Sequence, residues 1–419
     1  MRSRTSSYLQ IFFFICVFIS GCEKNISPTF QQNQVGGYGL IVIEKGTIPF
    51  TFDSRVQMEI TPDIKYSFEV TKDAILISPN EGLKIGTEIV IKINQLDEEI
   101  TLKEIVRTPC LTYLADITSN AEIWSTCGGG SFQMSQTSGR VVDYAVSNNG
   151  DWIVYAVENS ESGTDIWKMG RMGENSVVLL PCGKKVCDQL AINSQGSHVA
   201  FRSFDGEEKI NLFQIENRNL ILVERGKASN VDFSPDDKMF RYFENTSGYL
   251  RIIDLENMKL IASQKTDSDL IGNWKKDSEG FMFGQYNNWG GIAVIDLKEK
   301  NMIENSESLI LDGAESSIYL YEPNYSINGE FIALARTGFN ANRKQIFELD
   351  RNGNVINEIT NNFQYSHSMI SWNSIEDLLV FQRFAHTSSD AAPEIWVWEK
   401  SDNSLRLIDE NAAHGEWVY

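Results

Sequence analysis

Residues 230–262 alternate between apolar and polar positions in four short runs that are separated by turn residues. The runs cover residues 230–233, 239–243, 249–255 and 259–262. The first run ends in Ser234-Pro235-Asp236-Asp237, where proline supplies the φ near −65° that a tight turn requires. Four strands and three tight turns within about forty residues are the repeating unit of a β-propeller. The pattern therefore predicts one propeller blade.

The same order of turn and apolar strand recurs along residues 108–419. The turn dipeptides follow one another at intervals of 41 to 49 residues; they are Asn149-Gly150, Gln195-Gly196, Asp236-Asp237, Glu279-Gly280, Asn328-Gly329 and Glu376-Asp377. Six full units run from about residue 141 to 409, and only three strands precede them, at residues 111–115, 121–125 and 132–136. The tail Gly415-Glu416-Trp417-Val418-Tyr419 supplies the missing strand by pairing with residues 111–115. We therefore expect a seven-bladed propeller closed by the C-terminal strand, with six blades as the alternative.

Within this region the repeat around Ser234 resembles that of TolB-type propellers. Ser234-Pro235-Asp236-Asp237-Lys238 is followed by an apolar strand and then by residues 250–254. The TolB-type repeat has the similar order W-S-P-D-G-K, apolar strand, I-Y-V-x-D. Trp274 and Trp372 stand near the aromatic position of this repeat, and Ala200 and Ala333 at its small one. Only one repeat keeps Ser-Pro-Asp, so the resemblance implies the fold rather than a particular partner.

Residues 37–107 form a separate unit with strand patterns and no helical periodicity. Residues 65–70 and 88–93 alternate, with Ile89, Ile91 and Ile93 on one face. This spacing predicts a small antiparallel β-sandwich. The turn from Pro79-Asn80-Glu81-Gly82 to Gly86-Thr87 is similar to the one that precedes the last strand of bacterial immunoglobulin-like domains. That resemblance implies a spacer or adhesive module.

The first 36 residues indicate export and anchoring. Arg2 and Arg4 precede an apolar run at residues 11–19, which is too short to span a bilayer. The run ends in Ile19-Ser20-Gly21-Cys22, which resembles the signal of bacterial lipoproteins. The resemblance implies that residues 1–21 are removed and that Cys22 is lipidated, with residues 22–36 as a flexible tether. Because residue 23 is Glu and not Asp, the expected location is the outer membrane of a Gram-negative host, or otherwise the outer face of the cell membrane.

Charge and cysteine content limit the partners and the compartment. The chain has 419 residues with a net charge of −20, which argues against nucleic acid and anionic lipid as ligands. Four cysteines remain after the signal and anchor positions, and three pairings are possible. Proximity along the chain favours the disulfides Cys110–Cys127 and Cys182–Cys187, as expected in an oxidising compartment. A zinc site is the alternative for these cysteines.

Catalytic motifs are scarce in the sequence. There is no P-loop, H-E-x-x-H or full EF-hand loop, and no G-x-S-x-G elbow such as the prolyl-oligopeptidase-like enzymes carry beside their propellers. We therefore expect no enzymatic activity, no metal and no cofactor. Three residues are candidates for ligand binding. Trp289 occupies a turn between Asn288 and Gly290, while His367 and His414 precede the inner strands of successive blades and are candidates for the central channel.

Together these features predict a non-catalytic, lipid-anchored protein of the cell envelope that binds envelope proteins through its propeller. Glycan binding or glycan processing, with Trp289 in the site, is one alternative. A sensor subunit that recruits a separate enzyme is the other.

Overall fold

The chain divides into two compact units, Met1–Val106 and Arg107–Tyr419. The computed structural model describes residues 29–33, 37–44, 57–61, 66–70, 74–79, 88–95, 98–105, 110–127, 130–137, 140–267, 271–275, 278, 280–284, 292–297, 307–311, 319–326, 329–337, 343–373, 378–385 and 391–418. Every regular element in these ranges is a β-strand. No helix in the described part of the chain has the length and apolarity needed to cross a membrane.

The first unit contains two antiparallel sheets. Its strands are β1 (Thr29–Asn33), β2 (Gly37–Glu44), β3 (Gln57–Thr61), β4 (Tyr66–Val70), β5 (Ala74–Pro79), β6 (Glu88–Gln95) and β7 (Glu98–Ile105). One sheet has the order β1-β2-β5-β4 and the other β3-β6-β7. Ile91 and Ile93 of β6 are both fully buried, as their alternation predicted.

Strand β1 lies within residues 22–36, the range that the sequence predicts as a flexible tether. Thr29 and Phe30 pair with Val42 and Ile41 of β2, so residues 29–33 belong to a sheet. Threonine and aromatic residues favour extended backbone, and β2 offers them a free hydrogen-bonding edge. Residues 22–28 and 34–36 lie outside the described part of the chain.

The second unit is an all-β propeller, as predicted. Six of its sheets each consist of four consecutive antiparallel strands. Blade 1 contains β11 (Val141–Val146), β12 (Trp152–Glu158), β13 (Thr164–Gly170) and β14 (Val177–Pro181), and blade 2 contains β15 (Val186–Ile192), β16 (His198–Phe204), β17 (Glu208–Gln214) and β18 (Asn219–Arg225). Blade 3 contains β19 (Ala228–Phe233), β20 (Met239–Glu244), β21 (Tyr249–Asp254) and β22 (Leu260–Lys265), and blade 4 contains β23 (Ile271–Trp274), β24 (Gly280–Gly284), β25 (Ile292–Asp296) and β26 (Glu307–Leu311).

Blade 5 contains β27 (Tyr319–Tyr325), β28 (Phe331–Thr337), β29 (Gln345–Asp350) and β30 (Val355–Glu358), and blade 6 contains β31 (Tyr365–Trp372), β32 (Leu378–Ala385), β33 (Glu394–Glu399) and β34 (Ser404–Asp409). The four strands that the hydrophobic pattern predicted for residues 230–262 correspond to β19 to β22 of blade 3. Their predicted and observed limits differ by at most three residues at either end.

A further four-stranded sheet, the composite sheet, joins the two ends of this unit. It has the order β10-β9-β8-β35, from β8 (Cys110–Ala115), β9 (Glu122–Cys127), β10 (Gly130–Gln133) and β35 (Ala412–Val418). Trp417 lies opposite Leu111 and Ala412 opposite Ala115. The predicted pairing of the C-terminal strand with residues 111–115 is confirmed. Together with blades 1 to 6, the described strands of this unit form seven four-stranded sheets.

Apolar side chains of neighbouring blades pack face to face and form the core of the propeller. Between blades 2 and 3 the cluster includes Ala200, Leu212, Phe233 and Phe240, each at most 1 % exposed. Ala200 and Ala333, expected at the small position of the repeat, are both fully buried. A small residue there allows the aromatic side chain of the adjacent blade to approach closely.

The turn from the first to the second strand of a blade has one recurring hydrogen bond. A Ser or Asn side chain at the start of the turn accepts the backbone N–H of the residue five positions later. The donor–acceptor pairs are Trp152 to Ser147 (3.0 Å), His198 to Asn193 (2.8 Å), Met239 to Ser234 (2.9 Å), Phe331 to Ser326 (3.0 Å) and Leu378 to Asn373 (3.2 Å). The side chain thus satisfies a strand-end donor that the ladder leaves free.

Replacing Ser234 tests this turn. Ser234 is fully buried, so Ser234→Ala leaves the Met239 N–H without its side-chain acceptor. We expect the free energy of unfolding to fall by about 1–2 kcal/mol in urea titrations followed by circular dichroism. Ser194→Ala is the control, because Ser194 contacts Asp237 through its backbone N–H, and a change below about 0.5 kcal/mol is expected. Equal losses in the two variants would contradict this role of the hydroxyl.

Both predicted disulfides are present. Cys110–Cys127 joins the neighbouring strands β8 and β9 of the composite sheet. Cys182–Cys187 closes the loop between blades 1 and 2. Because all four cysteines are used in these bonds, the zinc alternative is wrong.

Candidate functional site

The first strands of blades 1 to 6 and β35 of the composite sheet form the inner ring of the propeller. Neighbouring inner strands contact one another, for example β11 with β15, β31 with β35 and β35 with β11. In a propeller these strands surround the central channel. Each of them contains a shift in its register with the second strand, which is a β-bulge.

Five of these bulges place a residue other than glycine in the left-handed region. The residues and their φ angles are Gln189 (50°), Asn230 (54°), Glu322 (50°), Met369 (53°) and His414 (59°). Such a conformation costs on the order of 1 kcal/mol or more for each residue. The same conformation recurs at the bulge of several inner strands. At this position the fold therefore turns the five side chains away from the regular alternation of a β-strand.

The sequence contains a signal for these positions that the alternation of apolar and polar residues does not reveal. Gln189, Asn230, Glu322 and Met369 each stand four residues before the Ser or Asn that begins the next turn. In blade 1 the residue at this spacing is Asp143. Of the five residues at this spacing, all but Met369 are polar. A polar residue at this point interrupts the apolar character of a buried strand.

Hydrogen bonds between neighbouring blades hold this ring of residues. Asp143 of blade 1 accepts the backbone N–H of Leu190 at 2.8 Å, and Gln189 of blade 2 accepts that of Asn230 at 3.2 Å. Glu322 of blade 5 accepts the backbone N–H of Met369 at 2.6 Å. The polar side chains of one blade therefore fix the bulge of the next blade, which makes the channel wall a preorganised surface.

A group of polar and charged side chains lies where β35 meets blade 1, and we call Asp143, Tyr144, His414 and Glu416 the channel cluster. His414 Nε2 lies 3.1 Å from Glu416 Oε1, and His414 Nδ1 lies 3.8 Å from Asp143 Oδ1. The hydroxyl of Tyr144 donates to the carbonyl oxygens of Thr112 (2.9 Å) and His414. Protein surrounds these side chains, yet His414 is 26 % exposed and Glu416 29 %. Partial exposure within the ring is what residues that line a water-filled channel show.

The channel cluster stabilises a proton on His414. Burial alone would lower the pKa of His414, but the hydrogen bond and charge of Glu416, with the charge of Asp143, outweigh it and raise that pKa to about 9. Burial raises the pKa of Asp143 to about 6, although the charge of His414 opposes this shift. At neutral pH the cluster therefore holds an imidazolium between two carboxylates.

Two further ion pairs continue the charged wall into blades 2 and 3. Arg202 donates to both carboxylate oxygens of Asp188, at 2.8 and 2.6 Å. Arg241 donates to the carbonyl oxygen of Asn230 at 2.8 Å and to Asp232 at 3.3 Å. Burial raises the pKa of Asp232 and lowers that of Arg241, and each charge offsets part of the effect on the other. Both signs of charge are therefore present along this side of the channel.

The structure places the two candidate histidines in different surroundings. His414 belongs to the channel cluster. His367 is 2 % exposed, its Nδ1 lies 2.9 Å from the carbonyl oxygen of Lys344, and its ring packs edge-on against Phe381. Burial lowers the pKa of His367 to about 4, so it is neutral at physiological pH. The two histidines share no hydrogen-bond partner among these contacts, and Trp289 lies outside the described residues.

At neutral pH neither His414 nor Tyr144 of the channel cluster offers a free general base. His414 is protonated at neutral pH and already lies next to carboxylates through both ring nitrogens, so it cannot act as a general base there. Burial raises the pKa of Tyr144 well above its usual value, so this hydroxyl is not a base either. Among the described residues, no three His, Cys, Asp or Glu side chains are grouped so as to hold a metal ion.

No protein-family model and no curated protein matches the chain. Solved structures do match it. TolB from Acinetobacter baumannii is 11 % identical, with 81 % of each chain covered and a TM-score of 0.45. The β-propeller domain of the Trilobed protease from Pyrococcus furiosus is 12 % identical, with 65 % of this chain and 85 % of that chain covered and a TM-score of 0.47.

A prolyl endopeptidase is 11 % identical, with 79 % of this chain covered and a TM-score of 0.50. The fold is a β-propeller. The chain spans about half the length of that endopeptidase, covering 48 % of it, so the likeness concerns the fold alone.

Proposed function

We propose that this protein is a non-catalytic, lipid-anchored binding protein of the cell envelope, and that it binds a protein partner at its central channel. The observation that carries the proposal is the preorganised channel wall, where charged side chains remain partly exposed although hydrogen bonds between blades fix them. A fixed surface with both signs of charge gives specificity to a protein contact without further loss of side-chain freedom.

The state of His414 supports binding over catalysis. A general base at this site would have to be unprotonated at neutral pH, whereas the pKa of His414, at about 9, keeps it protonated there. The pKa of Asp143 is about 6, and this carboxylate is already engaged by the backbone N–H of Leu190. The alternative of a glycan site depends on Trp289, outside the described residues, and no described contact favours it. The alternative of a sensor subunit makes the same prediction of a channel-bound protein and differs in the partner's activity.

The proposed location rests on the first 22 residues and on the two disulfides. Disulfides form and persist outside the cytoplasm, which agrees with an extracytoplasmic protein. Lipidation at Cys22 would anchor it to the membrane, in the outer membrane of a Gram-negative host. Metabolic labelling with an alkyne-tagged fatty acid tests this step: the wild-type protein is expected to carry the label, and Cys22→Ser is expected to lose it. Equal labelling of both would exclude Cys22 as the lipid site.

Two finer points of architecture belong to this proposal. The composite sheet is proposed to act as a seventh blade that closes the ring, in place of the six-bladed alternative, and the strand pairing of β35 with β8 supports it. The first unit is proposed to be an immunoglobulin-like spacer, predicted at residues 37–107 and joined by β1 at residues 29–33, that holds the propeller away from the membrane. Its two antiparallel sheets of four and three strands support this assignment.

The test compares partner capture by two matched variants. The full chain, with Cys22 intact and an affinity tag within residues 23–28, is crosslinked in its own cells and purified. Met369 lies on an inner strand and is 46 % exposed, whereas Val355 lies on an outer strand and is 51 % exposed. We expect Met369→Lys to lose a protein that the wild type captures and Val355→Lys to retain it. Retention by Met369→Lys would contradict channel binding, because a lysine there adds a charge and a longer side chain to the proposed contact.

A further inference from the structure

A recess lies between the turns of blades 2 and 3. It is lined by the turns that join the first to the second strand in both blades, and by the turn between β21 and β22, and it encloses about 400 Å³. Binding sites for small ligands typically enclose about 300–1,000 Å³. The recess, which we call the inter-blade cleft, therefore has the size for one long side chain.

The walls of the inter-blade cleft are fixed before any ligand arrives. Asp237 of blade 3 accepts the backbone N–H groups of Ser194 (2.8 Å) and Gln195 (3.0 Å) in the turn of blade 2. Within that turn, Asn193 accepts the backbone N–H of His198 at 2.8 Å. The two turns are thus joined by direct hydrogen bonds, and binding need not order them.

The charge in the cleft is negative and only partly balanced. Asp237, Asp254 and Glu256 line it, and the one lysine there, Lys238, lies with its ammonium 3.1 Å from Asp236 and is 70 % exposed. Burial lowers the pKa of His198, the remaining titratable residue of the lining, so it is uncharged at neutral pH. A cation entering the cleft would therefore meet more carboxylates than the resident lysine neutralises.

The cleft also offers an apolar contact beside its carboxylates. Leu255 is half-buried in the turn and stands between Asp254 and Glu256 in the sequence. Lysine and arginine side chains combine an apolar stem with a cationic end, and they bury the stem along apolar surface while the charge reaches polar groups. The arrangement in the cleft complements both parts of such a side chain.

We propose that the inter-blade cleft binds a lysine or arginine side chain of the protein partner. This inference rests on the proposed function and adds to it the partner's chemistry and a second contact on the propeller. The net charge of −20 favours the approach of a basic partner from a distance. Asp237 keeps acceptor capacity for the cation, because a carboxylate has about four lone-pair sites and its two oxygens accept three donors here.

Blocked tripeptides provide the test. Acetyl-Gly-Lys-Gly-amide, its norleucine analogue and its glutamate analogue are titrated into the full chain at low salt, with saturation-transfer difference NMR as the readout. We expect the lysine peptide alone to bind, with an affinity that falls as NaCl is added. Equal signals from the lysine and norleucine peptides would overturn the proposal, and so would a preference for the glutamate peptide.

The chain offers a matched pair of variants for this titration. Glu256 and Glu216 occupy the same place in equivalent turns, Leu255-Glu256-Asn257 of blade 3 and Ile215-Glu216-Asn217 of blade 2. Both are exposed, but only Glu256 lines the cleft. Glu256→Gln is expected to weaken binding of the lysine peptide by about threefold or more, while Glu216→Gln leaves it unchanged. Equal weakening in both variants would show general attraction to an acidic surface and overturn the site.

The cleft inference and the channel proposal can be overturned separately. If the lysine peptide does not bind while Met369→Lys still loses the captured partner, the channel proposal stands and the cleft inference is wrong. If the lysine peptide binds in a Glu256-dependent manner while Met369→Lys keeps its partner, the cleft inference stands without the channel.

Discussion

Replacing Trp417 with alanine is expected to lower the free energy of unfolding of the propeller by about 3–5 kcal/mol. Trp417 lies in β35, is 7 % exposed and packs in a cluster with Leu111, Tyr113 and Val380. Its indole N–H donates to the carbonyl oxygen of Ser371 in blade 6 at 3.1 Å. The substitution removes contacts to β8 and to blade 6 together, so it opens the join between the two ends of the ring.

The loss is measured by urea unfolding followed by far-ultraviolet circular dichroism, with the transition of the propeller analysed on its own. Phe363→Ala is the control, because Phe363 is also a large aromatic residue but is 58 % exposed, and a change below about 0.5 kcal/mol is expected. A loss of less than about 1 kcal/mol in Trp417→Ala would contradict the view that β35 closes the propeller.

The stability of the propeller is expected to fall as the pH rises from 6.5 to 9 because of His414. The pKa of His414 is about 9 in the folded chain and 6.5 in the unfolded chain. A raised folded-state pKa means that the folded chain holds the proton more tightly, so the stabilisation is complete below pH 6.5 and is lost by about pH 9. Each pKa unit corresponds to about 1.4 kcal/mol, and allowance for the partial exposure of His414 gives a total of about 2–3 kcal/mol.

Urea titrations at several pH values between 6 and 9.5 measure this effect, and His414→Asn is expected to show a much flatter profile. Asparagine tolerates the left-handed backbone at this position better than most residues. Asp143 gives a pH dependence of stability with the same sign, but at lower pH. Its pKa is raised from 3.8 to about 6 in the folded chain, so its stabilising contribution is lost before pH 6.5. His198→Asn is the control, and a variant profile as steep as that of the wild type would assign the pH dependence to another group.

The repeat pattern predicted the propeller because each blade is formed from residues that are near one another in sequence. Ser234, Pro235 and Asp237 specify a turn locally, and the apolar runs around them specify the strands. The same reasoning identified β35, because Gly415–Tyr419 was an apolar strand with no partner in its own repeat. Strand β1 was missed because its residues, Thr29–Asn33, are mostly polar and gain strand structure only by pairing with β2.

The channel cluster could not be predicted in the same way. Tyr144 and His414 are 270 positions apart in the sequence and meet only because the ring is closed. His414 was identified as a channel candidate, but its partners Asp143 and Glu416 were not, since a bulge in each strand determines where these side chains point. His367 was proposed beside His414 because of its position before an inner strand, and it is instead buried against Phe381 of its own blade and beside the carbonyl oxygen of Lys344.

The central claim is that a protein partner binds at the channel, and site-specific photo-crosslinking in living cells tests it most directly. A photoreactive amino acid is placed at Met369 on the inner ring and, in a second strain, at Val355 on an outer strand. The account predicts a discrete crosslinked protein from position 369 and none from position 355. Crosslinks from position 355 with none from position 369 would contradict it and would place the partner on the outer rim of the propeller.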